Sequence, residues 1–216
     1  FGTVYRWEQS GEISGMTRVR GFTQDDAHLF VTEDQIAAEV LGCIEIVQII
    51  FGTLGMTDYR VRVGMRDPDS SKYVGDSEKW DKAEAALATA LEEKGIAYTL
   101  QEGEGAFYGP KHEFVLRDSI GRKWQCGTIQ LDFSMPGLLG AEFVAKDGTR
   151  KAPVMIHRAI LGSLERFIGI LIEDTEGKLP PWLAPVQVIL LNISPKQQEY
   201  LAKLEKHLKN KGVRVE

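Results

Sequence analysis

Hydrophobic residues recur at helical spacing in three parts of the chain. In the first, residues 32–35 (TEDQ) have the spacing of a capping box, and apolar side chains then follow every three or four positions to residue 54. A second such pattern begins at Ser77 and ends at Gly95, a residue type that commonly terminates helices. A third covers residues 164–172, directly after Gly162 and Ser163. Each pattern predicts a helix with one apolar face that packs against another layer.

Between these helices, apolar and polar residues alternate over short segments, which is typical of half-buried strands. The predicted strands cover residues 59–63, 98–100, 113–116, 123–133, 142–144 and 154–161. Such a hairpin-rich order favours an α+β fold, in which helices flank an antiparallel β-sheet. We expect this domain to cover residues 1–184.

The pattern changes between residues 174 and 185, where Gly177, Pro180, Pro181 and Pro185 preclude regular structure. Residues 186–193 form a nearly continuous apolar run, as expected for a buried parallel strand, and a helical pattern follows Pro195. This order predicts that residues 185–216 begin a second domain, of α/β type.

A row of polar side chains near the N-terminus points to a ligand site. Read as a strand, residues 18–28 place six side chains on one face because a strand repeats every two residues. They are Arg18, Arg20, Phe22, Gln24, Asp26 and His28. Two cations, an aromatic ring, an amide, a carboxylate and an imidazole favour a floor for a charged ligand with a flat ring. The alternative is a solvated sheet face.

An earlier pair of residues extends this row. Arg6 and Glu8 are two positions apart, and residues 9–17 between them and Arg18 suit a long hairpin turn. Two antiparallel strands would then bring Arg6, Glu8, Arg18 and Phe22 around one spot. Guanidinium groups bind phosphate oxygens bidentately, whereas a carboxylate accepts a hydrogen bond from an exocyclic amine such as that of adenine.

Composition sets further limits on function. The chain has 26 Lys and Arg against 31 Asp and Glu, a formal net charge of −5, so no global basic field indicates nucleic-acid binding. A tRNA needs only a local basic surface. Cys43 and Cys126 are expected to be reduced, buried thiols of a cytoplasmic protein. We see no signal peptide and no apolar run near the roughly 20 residues of a transmembrane helix, and expect no membrane partner.

Several segments together resemble the threonyl-tRNA synthetases, a family of class II aminoacyl-tRNA synthetases. Residues 5–8 (YRWE) and 15–28 (GMTRVRGFTQDDAH) resemble motif 2 of that class, and TQDDAH resembles the threonyl version. The other matching segments are 105–111 and 124–133 (middle strands), 153–167 (motif 3) and 181–188 (the hinge into the anticodon-binding domain). The resemblance covers essentially the whole chain in order.

The resemblance implies an ATP site with Mg²⁺ as the accompanying ion. Arg6 would hold the α-phosphate and Arg18 the γ-phosphate end, while Glu8 would accept a hydrogen bond from the adenine amine. Phe22 and Arg166 would cover the two faces of adenine, the latter as a cation–π contact. The resemblance also places Gln130 at the ribose or a phosphate, and Lys111 near the substrate carboxylate and phosphate.

The resemblance also implies a zinc site with threonine in its open position. His28 and His157 stand where the family has two zinc ligands, and the third, a cysteine, is expected before Phe1. Asp26 would accept the proton of the threonine hydroxyl, and Gln24 would hold the amino group. Tyr108 and Gln125 would frame the amino acid. Two alternatives are less favoured: that the histidines are ordinary sheet residues, and that Cys126 replaces the third ligand.

The implied activity is threonine–tRNA ligation: ATP-dependent formation of threonyl-adenylate and transfer to the 3′ end of tRNA(Thr), by a homodimer. We expect the chain to be an incomplete copy, inactive alone, that runs from motif 2 through motif 3 (1–184) into the anticodon-binding domain (185–216). The alternative is a non-catalytic paralogue that binds tRNA or a partner synthetase. It is disfavoured because such proteins usually lose adenylate-site residues, and all of these are present here: Arg6, Glu8, Arg18, Phe22 and Arg166.

Overall fold

A seven-stranded β-sheet forms the centre of the structure, a computed structural model that describes residues 1–216. Its strands are β1 (Gly2–Tyr5), β2 (Gly21–Val31), β3 (Tyr59–Gly64), β4 (Tyr98–Gln101), β5 (Lys111–Arg117), β6 (Lys123–Asp132) and β9 (Val154–Ser163). A separate hairpin pairs β7 (Phe143–Val144) with β8 (Arg150–Lys151). The order across the large sheet is β1-β2-β9-β6-β5-β3-β4, and only β3 and β4 are parallel. The predicted α+β class with an antiparallel sheet is confirmed.

The helices begin and end close to the predicted residues. They are α1 (Ile36–Thr53), α2 (Ser77–Glu93), α3 (Met135–Leu138), α4 (Leu164–Asp174) and α5 (Gln198–Asn210), with 3-10 turns at Glu33–Gln35 and Pro195–Gln197. Of these helices, only the short α3 was not predicted. Thr32 and Gln35 form the predicted capping box before α1. The carboxylate of Asp76 accepts the N–H of Glu78 at 2.7 Å and so caps α2.

The sheet has one apolar and one polar face. α1 contacts α2, β6 and β9, and the strand residues on this covered face are mostly large and apolar: Val61, Val63, Phe114, Ile129, Ile156 and Ile160. On the opposite face, the register places His28 beside His157, His157 beside Gln130, and Gln130 beside Lys111. The next row contains Asp26, Ala159, Thr128, Glu113 and Arg62. Polar side chains from five strands therefore share one floor.

One helical segment meets the length and composition of a membrane span, contrary to the expectation from the sequence. It covers Glu33–Thr53. This is weak support for a span, because a helix packed on a sheet passes the same test. In α1 the apolar residues that face the sheet are buried: Ile36, Val40, Cys43, Ile44, Val47 and Phe51.

The chain divides into two compact units, Phe1–Leu171 and Ile172–Glu216. In the second unit, the prediction of a buried strand over residues 186–193 is wrong. Val188 forms a single parallel bridge with Val215, and backbone hydrogen bonds join residues 187–190 to residues 214–216, but Leu191 and Ile193 are exposed. A parallel strand needs a neighbour along its length, and only the short segment around Val215 lies beside this one. The assignment of residues 1–184 and 185–216 to functional domains stays a prediction.

Candidate active site

A cavity of about 140 Å³ opens on the polar face, between the β1–β2 connection, β6 and the turn from β9 into α4. Its lining residues are Arg6, Glu8, Thr17, Arg18, Val19, Phe22, Gln24, Gln125, Cys126, Thr128, Gln130, Gly162, Ser163 and Arg166. All six side chains predicted to contact ATP are among them, together with Gln24 and Gln125. The structure therefore brings together residues up to 160 positions apart in the sequence.

Glu8 and Arg18 form a direct ion pair in this cavity. Nε and Nη2 of Arg18 donate to Oε2 of Glu8 at 3.1 and 3.0 Å, and Nη2 also reaches Glu12 at 3.2 Å. These hydrogen bonds lower the pKa of the nearly buried Glu8, so it is ionised at neutral pH. Cζ of Arg6 lies 5.2 Å from the centroid of the Phe22 ring, within cation–π range.

Arg166 is held by the backbone of two different segments. Its Nε donates to the carbonyl oxygen of Thr17 and its Nη1 to that of Gln125, both at 2.8 Å. Burial lowers the pKa of Arg166, and the positive charges of Arg18 and Arg6 act in the same direction. Three guanidinium groups thus lie within electrostatic reach of one another around a cavity that suits a polyanion.

The prediction that residues 18–20 belong to the strand is wrong, because β2 begins at Gly21. Arg18 still lines the cavity, in a short bridge with Ser14. Arg20 does not. Its guanidinium donates to the carbonyl oxygen of Glu8 at 3.1 and 3.3 Å and lies 5.4 Å from the ring centroid of Trp7. Arg20 therefore braces the β1–β2 connection from outside the site.

Two carboxylates that the sequence did not single out hold β9 and α4 in place. The carboxylate of Asp25 accepts the backbone N–H groups of Ile160, Leu161 and Gly162 at 2.9–3.1 Å, where the β2–β9 register shifts. The carboxylate of Glu165 accepts the N–H of Thr23 at 2.9 and 3.0 Å. Asp25 thus ties the end of β9 to β2, and Glu165 ties the first turn of α4, which carries Arg166, to the same strand.

The turn between β9 and α4 requires glycine. Gly162 has φ +73°, and a Cβ there would lie 2.3 Å from the carbonyl oxygen of Cys126. A Cβ at Gly127 would come nearly as close to β9, at 2.6 Å from the carbonyl oxygen of Ile160. No larger residue fits this approach of β6 to β9 without moving a backbone.

A second group of predicted residues lies further along the polar face. The rings of His28 and His157 are 4.7 Å apart, edge to face, and the Tyr108 ring is 5.0 Å from that of His157. Tyr108 donates from its hydroxyl to Gln130 Oε1 at 2.6 Å. Burial, Asp132 and Asp26 raise the pKa of Tyr108 to about 12, so it stays a donor. Because Gln130 also lines the cavity, it joins the two groups.

The metal-binding prediction rests on two histidines. No group of three or more His, Cys, Asp or Glu side chains is arranged to hold a metal ion. His28 and His157 are direct cross-strand neighbours, and Nε2 of His157 is held by Asp132 at 3.0 Å. The pair therefore fits two ligands of a zinc site. Cys126 does not complete the zinc ligands. Burial raises the pKa of its thiol to about 12, and the residue lines the cavity with Arg6 and Arg166, apart from the two histidines.

Lys111 lies next to Gln130 in the register, outside the cavity lining. Its Nζ is 2.7 Å from Oε1 of the buried Glu113, whose Oε2 is 3.1 Å from Nη2 of Arg62. The carboxylate holds the ammonium group on the polar face of the sheet, beside Gln130.

A protein-family model described as the tRNA synthetase class II core domain (G, H, P, S and T) matches residues 1–175. The chain belongs to this family. It is 54% identical over 216 residues to a threonine–tRNA ligase of Thermus thermophilus, and 57% identical over 215 residues to that of Thiobacillus denitrificans. In each case the match covers 100% of this chain and 33% of the relative. The chain thus spans about a third of the length of these curated relatives.

A solved structure of a threonyl-tRNA synthetase domain has the same fold. A crystal structure of the RNA binding domain of threonyl-tRNA synthetase from Cryptosporidium parvum Iowa II superposes with a TM-score of 0.90 at 44% identity. It covers all of this chain and 53% of the solved one. The resemblance to the class II, threonyl-type synthetases predicted from the motifs is confirmed.

Proposed function

We propose that this chain forms the catalytic core of a threonine–tRNA ligase. The enzyme joins L-threonine to ATP as threonyl-adenylate and then transfers the threonyl group to the 3′ end of tRNA(Thr). One observation carries the proposal: a single cavity is lined by Arg6, Arg18 and Arg166 together with Glu8 and Phe22. The identity of 54% to a threonine–tRNA ligase along the whole chain supports the choice of amino acid.

The proposed chemistry consists mainly of positioning and charge neutralisation. The threonine carboxylate attacks the α-phosphorus of ATP in line, a carboxylate–phosphorus bond forms, and the bond to the bridging oxygen breaks. Pyrophosphate leaves with its negative charge, and a bound Mg²⁺ would neutralise part of that charge. Arg6 stabilises the charge that builds on the α-phosphate, and Arg18 binds the γ-phosphate end. The partial burial of Arg166 strengthens the field that these groups exert, because water screens it less.

Adenine occupies the space against Phe22 in this proposal. Arg6 now lies over the Phe22 ring, so it turns toward the α-phosphate when the base stacks there. Arg166 covers the opposite face of the base, and Glu8 accepts its exocyclic amine. Glu8 keeps its charge through the ion pair with Arg18, which leaves its second carboxylate oxygen for the base.

In this proposal threonine binds on the polar face of the sheet, next to His28 and His157. His28 and His157 would hold zinc, with a third ligand expected outside this chain, and the bound metal would take the amino and hydroxyl groups of the substrate. Asp26 accepts the hydroxyl proton. Gln24 binds the amino group, and Tyr108 and Gln125 frame the amino acid. Lys111 approaches the carboxylate from the other side.

The remaining features belong to the same proposal: a homodimer in the cytoplasm that binds tRNA(Thr). A non-catalytic paralogue finds no support, since all six side chains assigned to ATP line the cavity.

The test is amino-acid-dependent exchange of pyrophosphate into ATP by the intact enzyme that contains this chain. We expect threonine to support exchange. Arg6→Ala should reduce kcat by about 10²–10³-fold, the usual effect of removing one hydrogen-bond donor that stabilises the charge of a transition state. Arg60→Ala is the matched control, because Arg60 is exposed and lines no part of the cavity. Exchange supported by another amino acid and not by threonine would overturn the proposal.

A further inference from the structure

Trp124 supports Arg166 from outside the cavity. Cζ of Arg166 lies 5.2 Å from the centroid of the Trp124 ring, within the range of a cation–π contact. Arg166 lines the cavity and Trp124 does not. Any effect of the indole on a ligand there passes through the guanidinium.

The indole is itself fixed. Its Nε1 donates to Oδ2 of Asp118 at 2.8 Å, and the Asp118 side chain is fully buried. Oδ1 of the same carboxylate accepts the N–H groups of Ile120 at 3.2 Å and Arg122 at 2.7 Å. The carboxylate therefore belongs to the tight turn between β5 and β6, and it sets the orientation of the Trp124 ring.

Three contacts together define the plane of the Arg166 guanidinium. Two are the hydrogen bonds to the carbonyl oxygens of Thr17 and Gln125, and the third is the Trp124 ring, whose centroid lies 5.2 Å from Cζ. Nη2 donates to no atom of the chain. A cation fixed in this way keeps the N–H groups of Nη2 for whatever occupies the cavity.

We infer that Trp124 and Asp118 are positioning residues for ATP, which hold the Arg166 guanidinium in the plane that stacks on the base. This inference rests on the proposed function, because it takes the base to be adenine. Without the indole, Arg166 keeps both hydrogen bonds but can rotate about them. The contact with the base then costs side-chain entropy that the Trp124 platform has already removed.

The test uses the intact enzyme and threonine-dependent pyrophosphate exchange. Trp124→Leu should raise KM for ATP about 5- to 30-fold, the range of a partly desolvated cation–π contact, and leave KM for threonine within twofold. Trp124→Phe, which keeps a ring face, should recover most of the affinity for ATP. In an Arg166→Ala background, Trp124→Leu should have no further effect on KM for ATP. Trp7→Leu is the control, since Trp7 also carries an arginine on its ring but is 89% exposed and does not line this cavity.

A second measurement covers the case in which Trp124→Leu does not fold. Fluorinated tryptophans placed at position 124 keep the shape of the ring but weaken its attraction for a cation, so KM for ATP should rise with each added fluorine. The inference is overturned by an unchanged KM across that series. Equal rises for ATP and threonine, or an undiminished effect of Trp124→Leu in the Arg166→Ala background, overturn it as well. Failure of the proposed function looks different, because the unchanged enzyme would then show no threonine-dependent exchange.

Discussion

Oδ2 of the buried Asp132 lies 3.0 Å from Nε2 of His157. The other oxygen of this carboxylate, Oδ1, accepts the N–H groups of Ser134 and Met135 at 2.9 and 2.8 Å, at the start of α3. Because both oxygens act as acceptors, the imidazole proton belongs on Nε2, which leaves the lone pair on Nδ1. A carboxylate that fixes a histidine tautomer in this way is a common companion of metal-binding histidines.

The pair predicts how zinc affinity responds to Asp132→Asn. An asparagine would keep its oxygen on the N–H groups of α3 and turn its NH₂ toward His157, which would move the imidazole proton to Nδ1. We expect the zinc affinity of the intact enzyme to fall about 10- to 100-fold, and zinc to be lost when His28 and His157 are both replaced by alanine.

Competition with a chromogenic chelator measures this affinity without reference to catalysis. Asp147→Asn, in the exposed hairpin between β7 and β8, is the control with the same chemical change. Zinc retained in the double histidine variant would rule out these ligands, and an unchanged affinity in Asp132→Asn would rule out the role of the carboxylate.

A second prediction concerns the choice between amino acids. Oδ2 of Asp26 lies 4.0 Å from Nδ1 of His28, and the two residues share one face of β2. If the site reads the substrate hydroxyl, valine should be rejected by about 10⁴-fold or more, whereas serine, which lacks only a methyl group, should be activated at a measurable rate. Asp26→Ala should erode the preference for threonine over valine, because it removes the acceptor for the hydroxyl proton.

Adenylate formation with threonine, serine and valine, measured in the intact enzyme without tRNA, decides this. Equal rejection of serine and valine would contradict a hydroxyl-reading pocket. A preference for threonine that survives Asp26→Ala unchanged would contradict the role of this carboxylate.

The period of two along a strand was enough to place much of the site on one face. It put Phe22, Gln24, Asp26 and His28 together. The structure has the first two on the cavity, His28 beside His157, and Asp26 next to His28. What alternation cannot supply is a partner distant in the sequence. Asp25 appeared only as a charged residue on the opposite face, because the three N–H groups that it binds lie about 135 residues away on β9.

Local pattern also misjudged the two ends of the chain. Arg18 and Arg20 alternate like strand residues, but hydrogen bonds within the loop compete with the ladder there, such as the one from Arg18 N to Ser14 O. Residues 186–193 have the composition of a buried strand, and burial depends on neighbours that composition does not contain. The Arg166–Trp124 contact was missed for the same reason, since it joins α4 to β6.

His112 predicts a pH dependence of stability. Its ring is fully buried, with Nε2 2.9 Å from the carbonyl oxygen of Leu87 and no partner for Nδ1. Burial lowers the pKa of His112 from its usual 6.5 to about 4. Between these two values the unfolded chain binds a proton that the folded chain does not, so stability falls as the pH drops from 6.5 to 4 and is unaffected above that range.

The shift corresponds to about 3 kcal/mol over that window. His112→Leu removes the titrating group at similar volume, so the free energy of unfolding of the variant, measured in urea, should fall less steeply below pH 6.5. The difference between the two proteins should be constant from pH 7.5 to 8.5. Parallel curves for the two proteins from pH 4 to 6.5 would show that His112 is not the source of the slope.

The last prediction separates two costs of adding one methyl group at a glycine. Gly162 and Gly148 have nearly the same backbone angle, φ +73° and +78°, so alanine suffers similar backbone strain at both, about 1–3 kcal/mol. They differ in space: a Cβ at Gly148 meets nothing within 4 Å, whereas at Gly162 it lies 2.3 Å from the Cys126 oxygen. Thermal unfolding of the two variants should therefore show a much larger loss of stability for Gly162→Ala.

Gly162→Ala should also bind ATP more weakly than Gly148→Ala, because the clash lies next to the cavity. Cys126 is followed on β6 by Thr128 and Gln130, whose side chains line the cavity. On the other side, α4, which carries Arg166, begins two residues after Gly162. Equal losses of stability in both variants would mean that β6 and β9 approach less closely at this turn than the structure has them.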